Sequence, residues 1–344
     1  MVLSSTDALE RFAARHGLSL DLLQGRPIPD NTVYRDRLDP YSVRLGASSS
    51  SIPSESGDQA VYDGTVQAVR IHRLYRFSNS LVQLAHALHA AHHLGAAAVQ
   101  LPGAWYLKRG ITALTDSLVL ANGARYFQRQ LHTLEGLYFY GHTLAPACPG
   151  RPSLRELLLP IRPALTLAID EPPLPDDHIV LHVRSGDLFG PDPHPAYFQP
   201  PLALYLRALQ EQAWGHAHVV FEDYGNPVVQ GLVAWCADQR LPLTLHSWGL
   251  QRDLALLLRA HTLVVGRGTF MPGVVALSRH AREVHSYGPF DEGGAWGLTH
   301  VRNVIYKDRD GAYLRVVRPW RHSPRQRELM LSFPGTQFDT RVSS

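Results

Sequence analysis

Hydrophobic positions in the second half of the chain follow two alternating patterns. Short runs rich in Val, Leu and Ile, such as HIVLHV (178–183) and HTLVVG (261–266), are typical of strands. Longer segments have apolar residues every three or four positions, which is typical of helices. The pattern predicts strands also at 216–223, 241–247 and 282–288, and helices at 200–214, 226–239, 251–260 and 268–280. Strands alternating with helices predict a parallel, doubly wound sheet, with 282–288 as its last strand.

The first half carries a weaker version of the same pattern. TVQAVRIHRLY (65–75) predicts a strand, RFSNS (76–80) a loop, and LVQLAHALHAAHHLG (81–95) a helix that ends at Gly95. A second strand at 96–102 completes a β-α-β unit, the opening of a Rossmann-like domain. Further along, GLYFYG (136–141) predicts a strand, and residues 151–169 predict a helical segment interrupted by prolines.

These patterns predict an α/β protein with two Rossmann-like domains, whose parallel sheets face a cleft. Residues 1–60 form an appendage in this interpretation, with a short helix and a flexible serine-rich connector. Residues 61–165 form the first domain, and residues 166–344 form the second domain with a basic tail. Ligands of such sheets bind at the carboxyl ends of the strands.

Composition narrows the class of protein. The chain has 344 residues, is 45% hydrophobic and carries a net charge of only +3, which argues against a nucleic-acid-binding protein. Cys148 and Cys236 are too few for a disulfide framework and favour a reducing compartment. We expect no signal peptide and no membrane span, hence a cytoplasmic protein. The basic segment 315–331 is either a solvated tail or a peripheral contact with a membrane or an acidic partner.

Chemistry-bearing residues gather around the first strand of the second domain. His182 and Arg184 lie two residues apart at the end of HIVLHV, so their side chains share one face of the strand. An arginine in this place can bind phosphate oxygens in a bidentate manner. The alternative is an ion pair between Arg184 and Asp187 that closes the loop.

A second candidate is GRGTF (266–270), which follows a strand and opens a helix. Backbone amides and the helix dipole at Gly268, Thr269 and Phe270 favour an anion, whereas the alternative is a plain turn with Thr269 as the N-cap. Asp253 either stabilises the first turn of its helix or accepts the N–H groups of a guanine ring. Glu222 and Asp223, at another strand end, either line the cleft or cap the following helix, and Asn79 is an N-cap by default.

Metal sites receive little support from the sequence. His89 and His93 are separated by four residues on the predicted helix, but no carboxylate accompanies them as in HExxH motifs. We therefore expect no metal and no cofactor.

Three blocks, in this order, resemble the superfamily of inverting GDP-fucose-dependent fucosyltransferases, which comprises α-1,2, α-1,6 and protein O-fucosyltransferases. NSLVQLAHAL (79–88) resembles the N-terminal motif of the α-1,2 enzymes. HVRSGD (182–187) is similar to the HxRxGD signature, and RDLALLLRAHTLVVGRGTF (252–270) is similar to the third block. The chain departs from the family at Ser185, where bacterial enzymes often have a second arginine, and at GRGTF, where a double serine is usual.

The resemblance implies a two-domain, GT-B-like fold and a set of roles. His182 would contact the ribose or base and Arg184 the β-phosphate, while Asp253 would recognise guanine. Asp192 falls where the α-1,6 enzymes have their catalytic base, and Asp187 shapes the turn. The remaining donor-binding positions are Asn79, Glu222, Gly268, Thr269 and Phe270.

The sequence as a whole predicts an inverting, metal-independent glycosyltransferase. Its donor would be GDP-fucose and its acceptor a hydroxyl group of a surface polysaccharide. The alternatives are a transferase of the same fold with another donor, such as CMP-Kdo, and a non-catalytic protein that binds a nucleotide or a glycan.

Overall fold

A computed structural model describes residues 43–46, 68–124, 133–139, 152–193 and 197–343. The chain divides into two compact units, Met1–Leu167 and Ala168–Ser344, close to the predicted boundary. Each unit contains one mainly parallel sheet with helices, so the predicted α/β class with two sheets is confirmed.

The first unit is built on a six-stranded sheet with the order β1-β6-β2-β3-β5-β4. The four inner strands are parallel, and β1 and β4 run antiparallel at the edges. In chain order the elements are β1 (Val43–Gly46), β2 (Ala68–Ile71), α1 (Phe77–Leu94), β3 (Ala98–Leu101), β4 (Gly110–Ala113), β5 (Val119–Asn122), β6 (Thr133–Gly136) and α2 (Leu154–Leu158). Thus β1 comes from the predicted appendage, while the predicted helix and serine-rich connector lie outside the described residues.

Helix α1 begins earlier than the sequence predicted. RFSNS is not a loop, because the helix starts at Phe77 and includes Asn79. The phenyl ring of Phe77 packs edge-on against Tyr106 at 5.2 Å between centroids, and this burial outweighs the weak helix preference of the neighbouring serines. The predicted end is confirmed: Gly95 has φ +65° and caps the helix with its N–H.

The strand predicted at GLYFYG was placed too late in the chain. The observed strand β6 ends at Gly136, and Tyr138 has a φ of 55°, which an extended strand cannot contain. The interrupted helical segment is confirmed as α2 followed by a turn of 3₁₀ helix over Leu159–Ala164.

The second unit confirms every strand and helix predicted between residues 178 and 288. Its elements are β7 (His178–Val183), α3 (Leu202–Leu209), β8 (His216–Phe221), α4 (Pro227–Asp238), β9 (Leu243–His246), α5 (Leu250–Arg259), β10 (Thr262–Val265), α6 (Phe270–Leu277), β11 (Glu283–Tyr287), β12 (Arg302–Asp308), α7 (Ala312–Val317), α8 (Pro324–Ser332) and β13 (Phe338–Ser343).

The strand order of the second unit is β13-β12-β11-β10-β7-β8-β9, and all pairs except β12–β13 are parallel. When its first six strands are numbered in chain order, the sequence across the sheet is 3-2-1-4-5-6, the order of doubly wound dinucleotide-binding sheets. One face of β7 and β8 packs into the main core with α3, α4, α7 and α8. Residues 178, 180, 182 and 184 alternate onto the other face.

Two expectations about the C-terminal part were wrong. Glu283–Tyr287 is not the last strand, since β12 and β13 follow it. The basic segment 315–331 is not a solvated tail either, because it forms parts of α7 and α8 around a buried Trp320, which is 1% exposed. The indole of Trp320 donates a hydrogen bond of 2.7 Å to the carbonyl of Leu188. Among the described helices, none has the length and apolar character needed to cross a membrane.

Candidate functional site

The candidate site lies at the point where the strand order of the second unit reverses. Strands β7 and β10 are parallel neighbours there, and the chain continues from β7 toward β8 and from β10 toward β11, in opposite directions. Loops at the carboxyl ends of two such strands diverge and leave a crevice, where ligands of open α/β sheets bind. The two sequence motifs, HVRSGD and GRGTF, occupy these two loops.

The turn after β7 is held in place by a carboxylate from the loop that follows β8. Asp223 accepts hydrogen bonds from the Ser185 hydroxyl at 2.7 Å and from the N–H groups of Gly186 at 3.0 Å and Gly225 at 2.7 Å. Burial pushes the pKa of Asp223 upward, but these hydrogen bonds outweigh it and hold the pKa below its ordinary value. Asp223 therefore fixes the turn as a carboxylate, a role that the sequence did not reveal.

Glycine is favoured at position 186 of this turn. Its φ is +46°, a conformation that side chains rarely adopt, and a Cβ atom there would collide with the carboxylate of Glu222. Glu222 is exposed, and its backbone carbonyl accepts a hydrogen bond from the Ser247 hydroxyl at 3.0 Å. It does not cap the next helix, since Asn226 does so through the N–H of Val228.

Arg184 links the two loops. Its Nε and Nη2 donate to the two carboxylate oxygens of Asp187 at 3.2 and 2.8 Å, so the ion pair considered as an alternative is present. Its Nη1 donates to the carbonyl of Arg267 at 3.2 Å, and the guanidinium carbon lies 4.4 Å from the centroid of the Tyr197 ring. Three of the five N–H groups of an arginine are thereby used, and two remain for a ligand.

The loop after β10 approaches Arg184 through a glycine. Gly268 has φ +130°, and a Cβ atom there would lie 2.7 Å from Nη1 of Arg184. Thr269 takes the N-cap position of α6, which was the alternative considered from the sequence. Its side chain, however, makes no capping hydrogen bond.

His182 lies beside the start of α6. Its ring stacks obliquely on Phe270, with centroids 5.2 Å apart and an angle of 32°. Its Nδ1 is buried and has no hydrogen-bond partner. Burial, and to a lesser extent the charge of Arg184, lowers the pKa of His182 to about 4. The imidazole is therefore neutral near pH 7, and it can contact a ligand without adding charge.

The other predicted site residues are Asp253, Asp192 and Asn79. Asp253 lies in the first turn of α5 and accepts the N–H of Trp248 at 3.1 Å, which closes the loop before that helix. Asp192 is exposed in the segment after the β7 turn, and residues 194–196 lie outside the described part of the chain. Asn79 belongs to the first unit, where it is partly buried in the first turn of α1. The N-cap of that helix is Arg76 and not Asn79.

Among the described residues, no cluster of three or more His, Cys, Asp or Glu side chains could hold a metal ion.

The chain is similar to known proteins in structure but not in sequence. Neither a protein-family model nor a curated protein sequence matches the chain. The chain is similar to the crystal structure of POFUT1 in complex with GDP, with 11% identity and a TM-score of 0.43 over 66% of this chain and 99% of that chain.

Proposed function

We propose that the protein is an inverting, metal-independent glycosyltransferase that uses a nucleotide diphosphate sugar, with GDP-fucose as the donor. One observation supports this most: two motifs separated by about 80 residues of sequence meet at the switch point of a 3-2-1-4-5-6 sheet. There His182 stacks on Phe270 and Arg184 contacts the Arg267–Gly268 loop. A nucleoside beside His182 and Phe270 would place its phosphates near Arg184 and the start of α6.

The charge distribution supports binding of a diphosphate. A diphosphate leaving group gains negative charge as the bond to the sugar breaks, and preorganised donors stabilise it most effectively. The two remaining N–H groups of Arg184 are such donors, and the dipole of α6 favours negative charge near the start of that helix. Because the loop geometry is fixed by Asp187 and Asp223, little reorganisation is needed.

The proposed reaction is a single displacement. The acceptor hydroxyl attacks the anomeric carbon, its proton passes to a carboxylate base, and the electron pair of the breaking C–O bond leaves with GDP. We assign the base to Asp192, which is exposed near the turn. Asp187 is less suited because its carboxylate is engaged with Arg184, so Glu222 is the next candidate. The acceptor we propose is a surface polysaccharide, in a cytoplasmic setting.

The experiment is a calorimetric titration of the protein with GDP, UDP and CMP in the presence of EDTA, followed by a transfer assay with GDP-fucose. Selective GDP binding supports the proposal, whereas a preference for CMP or UDP keeps the fold and replaces the donor, as with CMP-Kdo. The Asp192→Asn variant should bind GDP normally and lose turnover. A wild-type protein that binds GDP but transfers nothing to any glycan acceptor would indicate a non-catalytic binding protein.

A further inference from the structure

A pocket of about 850 Å³ lies within the second unit, on the β11 side of the loop that follows β10. Its wall includes Arg267, Thr269 and Tyr287, together with Trp296 and Arg318. Tyr197 also lines it, and the ring of Tyr197 is the one on which the guanidinium of Arg184 lies. The pocket therefore shares Gly268 and Thr269 with the candidate diphosphate site, but Arg184 itself is not part of its lining.

The charged residues of this pocket are all cationic. Its described lining contains Arg267 and Arg318 and no aspartate or glutamate. Both guanidinium groups lie near the buried ring of Phe198, at 5.6 and 5.1 Å from its centroid. Because both arginines line the same pocket, an anion bound there would be attracted by two positive charges.

Arg318 contrasts with Arg184 in how its charge is used. Arg184 spends three N–H groups on Asp187 and on a backbone carbonyl. Arg318 is exposed, and within the described part of the chain its guanidinium makes neither a hydrogen bond nor an ion pair, while it lies over the ring of Phe198. The N–H groups of Arg318 are therefore available to a ligand in the pocket.

A buried hydroxyl adds a further donor beside the arginines. Tyr287 lines the pocket, is 4% exposed, and its hydroxyl has no hydrogen-bond partner. The Ser286 side chain also lines the pocket, but its hydroxyl is already used on the carbonyl of Gly288 and the side chain of Asn303. Buried polar groups without partners are uncommon in native proteins and often mark a ligand site.

We propose that this pocket is a second oxyanion subsite, in which Arg318 and Arg267 bind a phosphate-like or carboxylate group. This group is either the terminal phosphate of a nucleotide diphosphate that extends past the loop after β10, or part of an anionic second substrate. The chemistry is the same in both cases, since a guanidinium binds such oxyanions through a pair of N–H groups. The proposal concerns the pocket alone, so it does not depend on which nucleotide the neighbouring site selects.

The probe for the first test is inorganic pyrophosphate, titrated calorimetrically into the wild type and into the Arg318→Ala and Arg318→Gln variants. We expect both variants to bind pyrophosphate about 10- to 100-fold more weakly, because a charge-assisted hydrogen-bond pair is lost. Arg321→Ala is the matched control: it removes the same charge from an exposed arginine that does not line the pocket, and its binding should equal that of the wild type. Thermal melting of each variant verifies that it is folded.

The second test identifies the source of the oxyanion by titrating GMP and GDP into the same proteins. If the subsite holds the terminal phosphate of the nucleotide, Arg318→Ala weakens GDP binding and leaves GMP binding unchanged. If it serves the second substrate, GDP binding is unaffected and pyrophosphate still binds the wild type saturated with GDP. The proposal is overturned if the wild type does not bind pyrophosphate, or if folded Arg318→Ala and Arg318→Gln bind it as well as the wild type. Absence of nucleotide binding would refute the proposed function, and the pyrophosphate titration would still decide on the subsite.

Discussion

The two units place different chemistry at the same topological position. In each sheet the chain order reverses beside the first inner strand, β2 in the first unit and β7 in the second, and a loop follows that strand. In the first unit the loop is closed by a neutral, fully buried amide: Gln83 accepts the N–H of Tyr75 at 2.8 Å and donates to the carbonyls of Arg73 and Leu137. In the second unit the loop is closed by charged groups, Asp223 on the backbone and Asp187 on Arg184.

The closing residue of the first loop therefore has a structural role, whereas the second loop keeps groups that can bind a ligand. An amide that satisfies three backbone groups inside the protein has no donors left for a ligand. The carboxylates of the second unit instead hold a guanidinium and a positive-φ glycine at the surface of the crevice, where donors remain. A shared topology therefore does not predict a shared role, and the residue types in the loop decide it.

The largest effect is expected from Arg184→Ala, which removes the residue that connects the two loops of the second unit. GDP affinity should fall by about 100-fold or more, since charge-assisted hydrogen bonds to the ligand are lost and Asp187 is left unpaired. Arg184→Lys keeps the charge but not the bidentate geometry, and it should recover only part of the affinity. Calorimetry on both variants measures this, and equal affinity of wild type and Arg184→Ala would remove Arg184 from the site.

The counterpart in the first unit is Gln83→Leu, which should act on stability. The substitution leaves three backbone groups without their partner in a buried place, so the free energy of unfolding should fall by about 2–3 kcal/mol. Urea denaturation followed by circular dichroism gives this value. Gln230→Leu, at an exposed position of α4, is the control and should change stability by less than about 0.5 kcal/mol. Similar stabilities of the two variants would contradict the structural role of Gln83.

A smaller effect is expected from replacing one positive-φ glycine in each unit. Gly268→Ala should weaken GDP binding by roughly 10-fold, because the new methyl group would lie 2.7 Å from Nη1 of Arg184 and displace it. Gly95→Ala is strained by its φ of +65° but has open space around the new atom, so it should cost stability without changing GDP affinity. Equal GDP affinities of the two variants would show that the close approach of Gly268 to Arg184 is unimportant.

The smallest expected effect is the contribution of His182 to the pH dependence of stability. The pKa of His182 is about 4 in the folded protein, against 6.5 as the ordinary value, so the unfolded chain binds more protons between these limits. The contribution of His182 is therefore fully present above pH 6.5 and is lost as the pH falls toward 4. Thermal unfolding measured across this range should show stability decreasing with acidity, and His182→Asn should reduce the slope. An unchanged slope in the variant would mean that His182 is not a buried neutral imidazole.

Much of the second unit could be predicted from local sequence, because each strand and helix between residues 178 and 288 carries its own periodicity and its own end signals. The 3-2-1-4-5-6 order could not be predicted in this way, since it depends on pairing between distant strands such as β7 and β10. The start of α1 was missed for a related reason: packing of Phe77 on Tyr106 outweighed the local preference of RFSNS.

Some residues of the candidate site could also be predicted from the sequence, and others could not. His182, Arg184 and Gly268 could be selected because they belong to short motifs next to predicted strand ends. Asp223 was a candidate at a strand end, but its role in holding the turn could not be predicted, since it acts on backbone N–H groups of another strand's loop. Arg318 could not be selected, because it reaches the pocket from a segment that resembled a basic tail. The roles of Asp192, Asp253, Glu222 and Asn79 stay predictions.

The most direct test of the central claim is hydrogen–deuterium exchange of the full chain with and without GDP, with CMP as the comparison. A nucleotide diphosphate at the switch point of the second unit should slow the exchange of amides in segments 184–187 and 267–270 together, and CMP should do so much less. Protection that is absent from these two segments, or that CMP produces equally well, would contradict the assignment of a GDP site to this crevice.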